Sequence, residues 1–183
     1  MPVYTPEKIQ FGIDCPDSQL PSVDGRTYGK KDFLNGKPLV IVFMCNHCPY
    51  VKAIEDRLIT LGQDLKEFGV NMVGICSNDA ENYPEDSFEN LQKRAKEKNY
   101  SFTYLYDETQ EVARAFGAIC TPDYFVYDHH AKLAYRGRLD DSWKEPSLVK
   151  KRELYDAVVE LAQGQSITHP QTPSMGCSIK WKK

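Results

Sequence analysis

No apolar run in the sequence approaches the roughly 18 residues that a transmembrane helix needs, so we expect no membrane-spanning segment. Charge of one sign is not in excess either. The formal net charge of -3 provides no strong field for binding nucleic acid or an anionic membrane, and we expect neither as a partner. The first twenty residues lack a basic stretch followed by an apolar one, so we predict no signal peptide and a cytoplasmic location.

Internal repeats and low-complexity segments are absent as well. The 183 residues are enough for one domain with its own core, and we predict a single domain over residues 1–183. Residues 164–183 would form a long tail after the last helix. Every second residue from Met175 to Trp181 is hydrophobic, a pattern typical of an extended segment that packs against the domain.

Hydrophobic periodicity predicts an α/β fold. Continuous apolar runs at 38–44 and 70–77 are typical of strands covered on both faces, and a helical pattern follows each run. Two alternating segments around "HHAK" predict an antiparallel pair, and "PSVDGRTY" predicts an N-terminal hairpin. Asp107 can cap a helix that ends at Gly117, and Ser147 can cap the last helix. We therefore expect a mixed central sheet flanked by helices.

Six cysteines are distributed over these elements: Cys15, Cys45, Cys48, Cys76, Cys120 and Cys177. In a reducing compartment, cysteines of such a protein are more often catalytic, metal-bound or buried than bridged. We interpret Cys15 and Cys76 as packing residues. Cys120 adjoins Thr121 and Pro122, and it is either a small core residue or an auxiliary thiol.

Cys45 and Cys48 stand in "FMCNHCPYV", directly after an apolar strand and before a helix. This position is the carboxyl end of a strand, where α/β sheets present functional groups. The pair is a redox couple, half of a metal site, a peroxide-reducing centre or two packed thiols. Zinc needs further ligands, and no second CxxC or histidine pair supplies them, so we expect no metal. The alternative outside the enzymes is a non-catalytic binding or metal-carrying module that uses the cysteines as ligands.

The helix after the pair favours redox chemistry. Its free backbone amides and its positive dipole end stabilise a thiolate, and the i, i+3 spacing places both sulfur atoms on one side of the first turn. We therefore expect Cys45 to attack a disulfide and Cys48 to resolve the mixed disulfide. His47 can add positive charge beside the Cys45 thiolate. No dissociable cofactor is expected, because the electrons pass through thiols.

"FMCNHCPYV", followed later by "CTPDYFVYD", resembles the thioredoxin fold, and more narrowly the redoxin group of AhpC/TSA-like and TlpA/ResA-like proteins. "DETQEVARAFG", "YRGRLDD" and "PSMGCSIKWK" resemble one peroxiredoxin-like subfamily with a CxxC pair. The resemblance implies a thioredoxin-like fold, thiol-disulfide oxidoreductase activity and a cis peptide bond before Pro122. It gives Thr121 the role of offering backbone groups to the substrate. We expect a disulfide-bearing protein or small molecule as substrate and an upstream thiol as reductant.

A peroxidase that uses Cys48 is the alternative within enzymes. Peroxiredoxin sites read Pro-x-x-x-Thr-x-x-Cys, and alignment on Cys48 places Cys45 at the threonine and Ile41 at the proline. The arginine of such sites has no evident counterpart, although Arg136 and Arg138 are candidates. We therefore expect any peroxide reduction to be slow and secondary.

Two further expectations concern the group that handles the proton of the inner cysteine and the role of the tail. Thioredoxin-type sites keep a buried acid below the cysteine pair, and the strand "LVIVF" contains none. Asp107, Asp140 or His47 would have to serve as the acid or base. Cys177, in the tail, is a candidate for an additional resolving thiol.

Overall fold

A five-stranded mixed sheet forms the centre of the protein in a computed structural model that describes residues 1–183. Its strand order is β6 (Thr103–Tyr106), β5 (Asn71–Cys76), β4 (Leu39–Phe43), β8 (Asp123–Tyr127) and β9 (Leu133–Tyr135). The first three are mutually parallel, and β8 and β9 run antiparallel to their neighbours. The predicted mixed sheet and the antiparallel pair around "HHAK" are confirmed.

Five helices accompany the sheet: α1 (Lys30–Phe33), α2 (Pro49–Lys66), α3 (Phe88–Glu97), α4 (Glu111–Phe116) and α5 (Glu153–Ala162). The predicted hairpin is present as β2 (Gln19–Pro21) and β3 (Thr27–Gly29), and its turn contains Gly25 at a φ of +87°. None of the helices combines the length and the apolar composition needed to cross a membrane.

Strand β4 is buried along its whole length, because the core is divided between the two faces of the sheet. Val40 and Val42 pack with α2 and α5 on one face, whereas Leu39, Ile41 and Phe43 pack with α4 on the other. Successive side chains of a strand point to opposite faces, so a strand covered on both needs a continuous apolar run. The cysteine pair that follows β4 joins the α2 face.

Helix α4 begins later than its sequence signals predict. Its first residue is Glu111, and the residue before it, Gln110, has a left-handed backbone with a φ of +65°. Asp107 still caps this helix, since its carboxylate accepts from the backbone N–H of Ala113 at 2.9 Å. Gln110 instead holds the C-terminal tail: its side-chain amide donates to the carbonyl of Lys180 at 2.8 Å. The predicted end of the helix at Gly117 is confirmed.

The predicted cap at Ser147 is wrong. Residues 146–148 form a separate 3₁₀ turn, and α5 begins at Glu153. The Ser147 hydroxyl donates to the carboxylate of Glu145 at 3.0 Å, within the exposed turn. Glu153 forms an ion pair with Arg138 at 2.6 Å, and this pair holds the start of the helix against the domain.

The tail lies across the body of the protein as an extended segment. Its strand β10 (Met175–Ser178) pairs between β1 (Val3–Tyr4) and β7 (Cys120–Thr121), antiparallel to both. Cys177 is the register partner of Thr121. Further along, Ile179 is 3 % exposed, and the Arg114 guanidinium stacks 4.4 Å from the ring centroid of Trp181. The alternating hydrophobic residues therefore line a strand that holds the tail in place.

Gly176 is the point of closest approach between tail and body. A Cβ at this position would overlap the backbone carbonyl of Thr121, which cannot move aside as a flexible side chain would. We predict that Gly176→Ala lowers the free energy of unfolding by about 1–3 kcal/mol, through overpacking against backbone. Urea unfolding measures this change.

Ser178→Ala is the matched control, because it alters an exposed residue of the same strand. We expect it to change the free energy of unfolding by less than about 0.5 kcal/mol. Equal effects of the two substitutions would contradict a tightly docked tail.

Candidate active site

The two cysteines lie between the end of β4 and the start of α2, where Cys48, not Cys45, occupies the N-cap of the helix. The sequence predicts Cys45 just before the first helical turn, whereas the structure places Cys48 there. The helix starts late because Pro49 has no backbone N–H and is favoured as the first helical residue, where that N–H would have no partner. The stabilising end of the helix thus acts on Cys48.

Thr121 lies against both sulfur atoms. As a thiol, Cys48 donates to the Thr121 carbonyl, with Sγ 3.1 Å from the oxygen. The Cys45 sulfur lies 3.5 Å from the Thr121 hydroxyl. The peptide bond between Thr121 and Pro122 is cis, as expected. Because β10 already pairs with Thr121, its outward edge is not open to an external chain in this conformation.

The two thiols of the pair differ strongly in acidity. The Cys45 thiol donates a hydrogen bond that lowers the pKa of Cys48 to about 4, against the effect of burial, and contacts from Thr121, Cys177 and the Val51 amide add to this lowering. The pKa of Cys45 is raised, first by that same bond and then by burial. The helix N-terminus and the neighbouring thiols therefore place the thiolate on Cys48.

Asp86 is the acidic residue at this site, and the sequence analysis did not find it. It is fully buried, and its carboxylate accepts from the backbone N–H of Asn46 at 2.7 Å and from the side-chain amide of Asn78 at 2.9 Å. The Asp86 carboxylate is also hydrogen-bonded to Nδ1 of His47, with 2.5 Å between the oxygen and the nitrogen. The His47 ring stacks on Tyr83. No sequence signal marks Asp86, because it reaches the cysteines only through a loop between β5 and α3.

His47 therefore does not act as an isolated positive charge. Its Nδ1 lies 3.8 Å from the Cys45 sulfur but 2.5 Å from the Asp86 carboxylate, which balances any charge on the imidazole. The Asp86 charge helps to raise the pKa of Cys45. Both contacts of His47 run through Nδ1, so His47 and Asp86 form a hydrogen-bonded pair beside Cys45 and not a relay through the ring.

The other candidate acids and the candidate arginines are engaged elsewhere. Asp107 caps α4 and accepts from Ser77, and Asp140 pairs with Arg57 at 2.6 Å. Arg136 pairs with the buried carboxylate of Asp123 at 2.9 Å, and Arg138 pairs with Glu153. None of these four residues hydrogen-bonds to Cys45 or Cys48. The site thus has no arginine beside its sulfur atoms.

The remaining cysteines divide into one neighbour of the pair and three packing residues. Cys177 is within hydrogen-bonding reach of Cys48 and is the one cysteine that is partly exposed. Cys120 is buried and donates to the Pro122 carbonyl at 3.5 Å. Burial raises the pKa values of Cys15, Cys76 and Cys120. These three thiols are protonated at neutral pH.

Cys45, His47 and Asp86 also form the one cluster in the chain that could hold a metal ion, with ligand atoms within 4.8 Å of one another. Thiolate, imidazole and carboxylate are all ligands that zinc accepts. The contact between His47 and Asp86 serves equally as a hydrogen bond within the site. Measuring zinc in the reduced protein distinguishes the two uses of this cluster.

We predict that an ultraviolet titration of the reduced protein shows one thiolate forming with a midpoint near pH 4. The step disappears in Cys48→Ser, since that sulfur carries the charge, and remains in the control variant Cys120→Ser. Loss of the step in Cys45→Ser but not in Cys48→Ser would contradict this assignment and place the thiolate on Cys45.

We also predict that Asp86→Asn lowers the pKa of Cys45, because it removes the negative charge that opposes ionisation. The titration is made in a Cys48→Ser background, so that one active-site thiol is observed. Glu85→Gln is the control, because it makes the same charge change one residue away at the exposed surface. A rise in the Cys45 pKa, or equal shifts in both variants, would contradict the assignment.

Comparison with known proteins identifies the family and the fold of the chain. The sequence is 43 % identical to an uncharacterized conserved protein from Geobacillus kaustophilus, over 100 % of this chain and 97 % of that one, with a TM-score of 0.94. It is 27 % identical over 144 residues to the thiol:disulfide interchange protein DsbE of Tatumella citrea, covering 76 % of this chain and 72 % of the relative.

A thioredoxin domain of a thiol-disulfide oxidoreductase from Bacteroides vulgatus has the same fold. Its TM-score is 0.59 at 16 % identity, over 70 % of this chain and 89 % of that one. The AhpC/TSA family matches residues 11–136, which are more than half of the sequence and include both cysteines of the pair. The chain belongs to the AhpC/TSA family and has a thioredoxin-like fold.

Proposed function

We propose that the protein is a thiol-disulfide oxidoreductase in which Cys45 and Cys48 alternate between dithiol and disulfide. The observation that carries the proposal is the position of both sulfur atoms against Thr121, directly before α2: Cys48 lies 3.1 Å from its carbonyl oxygen and Cys45 lies 3.5 Å from its hydroxyl. A stabilised thiolate next to a second thiol is the arrangement that disulfide exchange requires. The similarity to thiol:disulfide interchange proteins supports it.

The acidity of the two thiols changes the roles expected from the sequence. Cys48, which carries the charge, is the nucleophile of the pair, and Cys45 is the resolving thiol. The Cys48 thiolate attacks a disulfide R–S–S–R′, forms a Cys48–R disulfide and releases R′S⁻. Cys45 then attacks the Cys48 sulfur and releases RS⁻. The substrate gains two electrons, and the Cys45–Cys48 disulfide forms.

Resolution requires Cys45 to lose its proton. Once Cys48 is bound in a disulfide, it no longer accepts the hydrogen bond that holds this proton in place. The leaving thiolate RS⁻ takes this proton up and departs as RSH. His47 Nδ1 lies 3.8 Å from the Cys45 sulfur, but its hydrogen bond to Asp86 occupies that nitrogen, so we assign His47 and Asp86 the role of setting the electrostatic environment of Cys45.

The stabilised thiolate also bears on the direction of electron flow. A low pKa at Cys48 favours the dithiol form over the disulfide, because the disulfide form has no ionised sulfur to stabilise. We therefore expect a reduction potential above that of thioredoxin, about -270 mV. The cytoplasmic location stays a prediction, as does the use of an upstream thiol as reductant.

A peroxidase reaction at Cys48 is the second candidate, and its low pKa together with the AhpC/TSA family favours it. Two features oppose it. Cys45 stands at the position of the threonine in the peroxidase pattern. Arg136 and Arg138, the candidate arginines, are held by Asp123 and Glu153. The hydroxyl near the pair is that of Thr121, 3.5 Å from the Cys45 sulfur, and it lies outside that pattern.

The experiment that tests the proposal equilibrates the protein across glutathione redox buffers and maps disulfides by mass spectrometry. We expect one reversible transition that joins Cys45 to Cys48, at a potential above about -270 mV. The variant Cys120→Ser should show the same transition, because Cys120 is a buried packing residue.

Hydrogen peroxide, added to the reduced protein, separates the two candidate functions. Slow consumption that yields the Cys45–Cys48 disulfide agrees with the oxidoreductase. Rapid consumption with a sulfenic acid at Cys48, while Cys45 stays a thiol, would establish the peroxidase instead.

A further inference from the structure

The sulfur atoms of the pair are closed off from solvent. Cys45 is 1 % exposed and Cys48 is not exposed at all. Strand β10 lies over Thr121, the residue that touches both of them. Direct reaction of a molecule in solution with either sulfur therefore requires the tail to move aside.

Cys177 lies in the covering strand, between the buried pair and the surface. It is partly exposed, and it packs against the core cluster that contains Cys45 and Cys48. Its register partner is Thr121, whose carbonyl oxygen lies 3.1 Å from the Cys48 sulfur. Gly176 permits the strand to lie this close, since a larger residue would overlap the Thr121 carbonyl. Thr121 thus has the Cys48 sulfur at its carbonyl and Cys177 as its strand partner.

We propose that Cys177 is a third redox thiol, which forms a disulfide with Cys48 and exchanges that disulfide with thiols in solution. The inference rests on the proposed function and extends it. The tail then takes the place beside Thr121 that an external substrate chain would occupy, and it carries oxidising equivalents from the buried pair to the surface.

The exchange proceeds in balanced steps. The Cys177 thiolate attacks the Cys48 sulfur of the Cys45–Cys48 disulfide, forms the Cys48–Cys177 disulfide and releases Cys45 as a thiolate, which takes up the proton that Cys177 lost. A thiol RSH, as its thiolate, attacks the partly exposed Cys177 sulfur and releases the Cys48 thiolate. A second RSH then attacks the Cys177–R disulfide. Cys177 is released as a thiol and R–S–S–R forms, so two thiols supply the two electrons.

The acidity of the thiols suits the second step, in which Cys48 leaves from Cys177. The thiol with the lower pKa leaves faster in disulfide exchange, and Cys48 has the lowest pKa of the three. In the reduced protein, burial and the Cys48 contact raise the pKa of Cys177 to about 11. Cys177 therefore rests as a thiol and Cys48 as the thiolate, which is the state that the last step produces.

Cys120 does not take this role, although it adjoins Thr121. Adjacent residues of a strand point to opposite faces, and the Thr121 side chain faces Cys45. Cys120 is paired instead with Ser178 and is fully buried. It serves as the matched control for a thiol on the same strand that lacks access to the pair.

The first test uses Cys45→Ser, which removes the competing partner of Cys48. After oxidation in a glutathione buffer, we expect mass spectrometry to find a Cys48–Cys177 disulfide. Cys45→Ser with Cys177→Ser should give Cys48 bound to glutathione. If Cys45→Ser also gives only the glutathione adduct at Cys48, with Cys177 free, the proposal is overturned.

The second test measures how fast glutathione reduces the Cys45–Cys48 disulfide. We expect Cys177→Ser to slow this reduction by about tenfold or more, because the intramolecular route is lost, with the equilibrium midpoint unchanged. Ser178→Ala and Cys120→Ser should keep the wild-type rate. An unchanged rate in Cys177→Ser would refute a role for this thiol.

The proposed oxidoreductase function and the proposed role of Cys177 are tested by different outcomes. If the wild-type protein forms no reversible Cys45–Cys48 disulfide, the proposed function is wrong. If it does, and Cys177→Ser matches the wild type in rate, only the role of Cys177 is wrong.

Discussion

The site depends on the position of Thr121, which touches two parts of the protein that are distant from it in sequence, the cysteine pair and the tail. Its carbonyl lies 3.1 Å from the Cys48 sulfur, its hydroxyl lies 3.5 Å from the Cys45 sulfur, and its backbone pairs with Cys177. Strand β7 fixes this position next to the central sheet, and the tail closes over it. One residue thereby sets both the geometry of the cysteine pair and the register of the strand that covers it.

The start of α2 decides which sulfur is charged. With Pro49 as the first helical residue, the unpaired amides of the first turn surround Cys48. A helix that began earlier would have presented them to Cys45. On the other side of the pair, the buried Asp86 opposes a second charge. Dipole and carboxylate thus act in opposite directions on neighbouring thiols, and they separate the acidity of the two cysteines.

Much of the fold could be predicted from the sequence, because apolar runs and turn residues act locally. The strands, the antiparallel pair and the hairpin follow from such patterns. Ser147 failed as a cap, since Glu153 and its ion pair with Arg138 set the start of α5 through a contact distant in sequence. The pairing of Cys45 with Cys48 was visible for the same local reason. Asp86 was not, because its role arises only where a loop folds back onto His47.

The tail shows how burial and reactivity are reconciled. Exchange chemistry favours a shielded thiolate, since water and stray oxidants then reach it slowly, but a shielded thiolate also excludes its reaction partners. The protein has a covered pair and, within the covering strand, one partly exposed thiol that is the register partner of Thr121. Because that thiol lies in the docked strand, it stays beside Thr121 as long as the tail stays in register, and Gly176 permits the close approach that this register needs. Covering the site and giving access to it are therefore properties of the same strand.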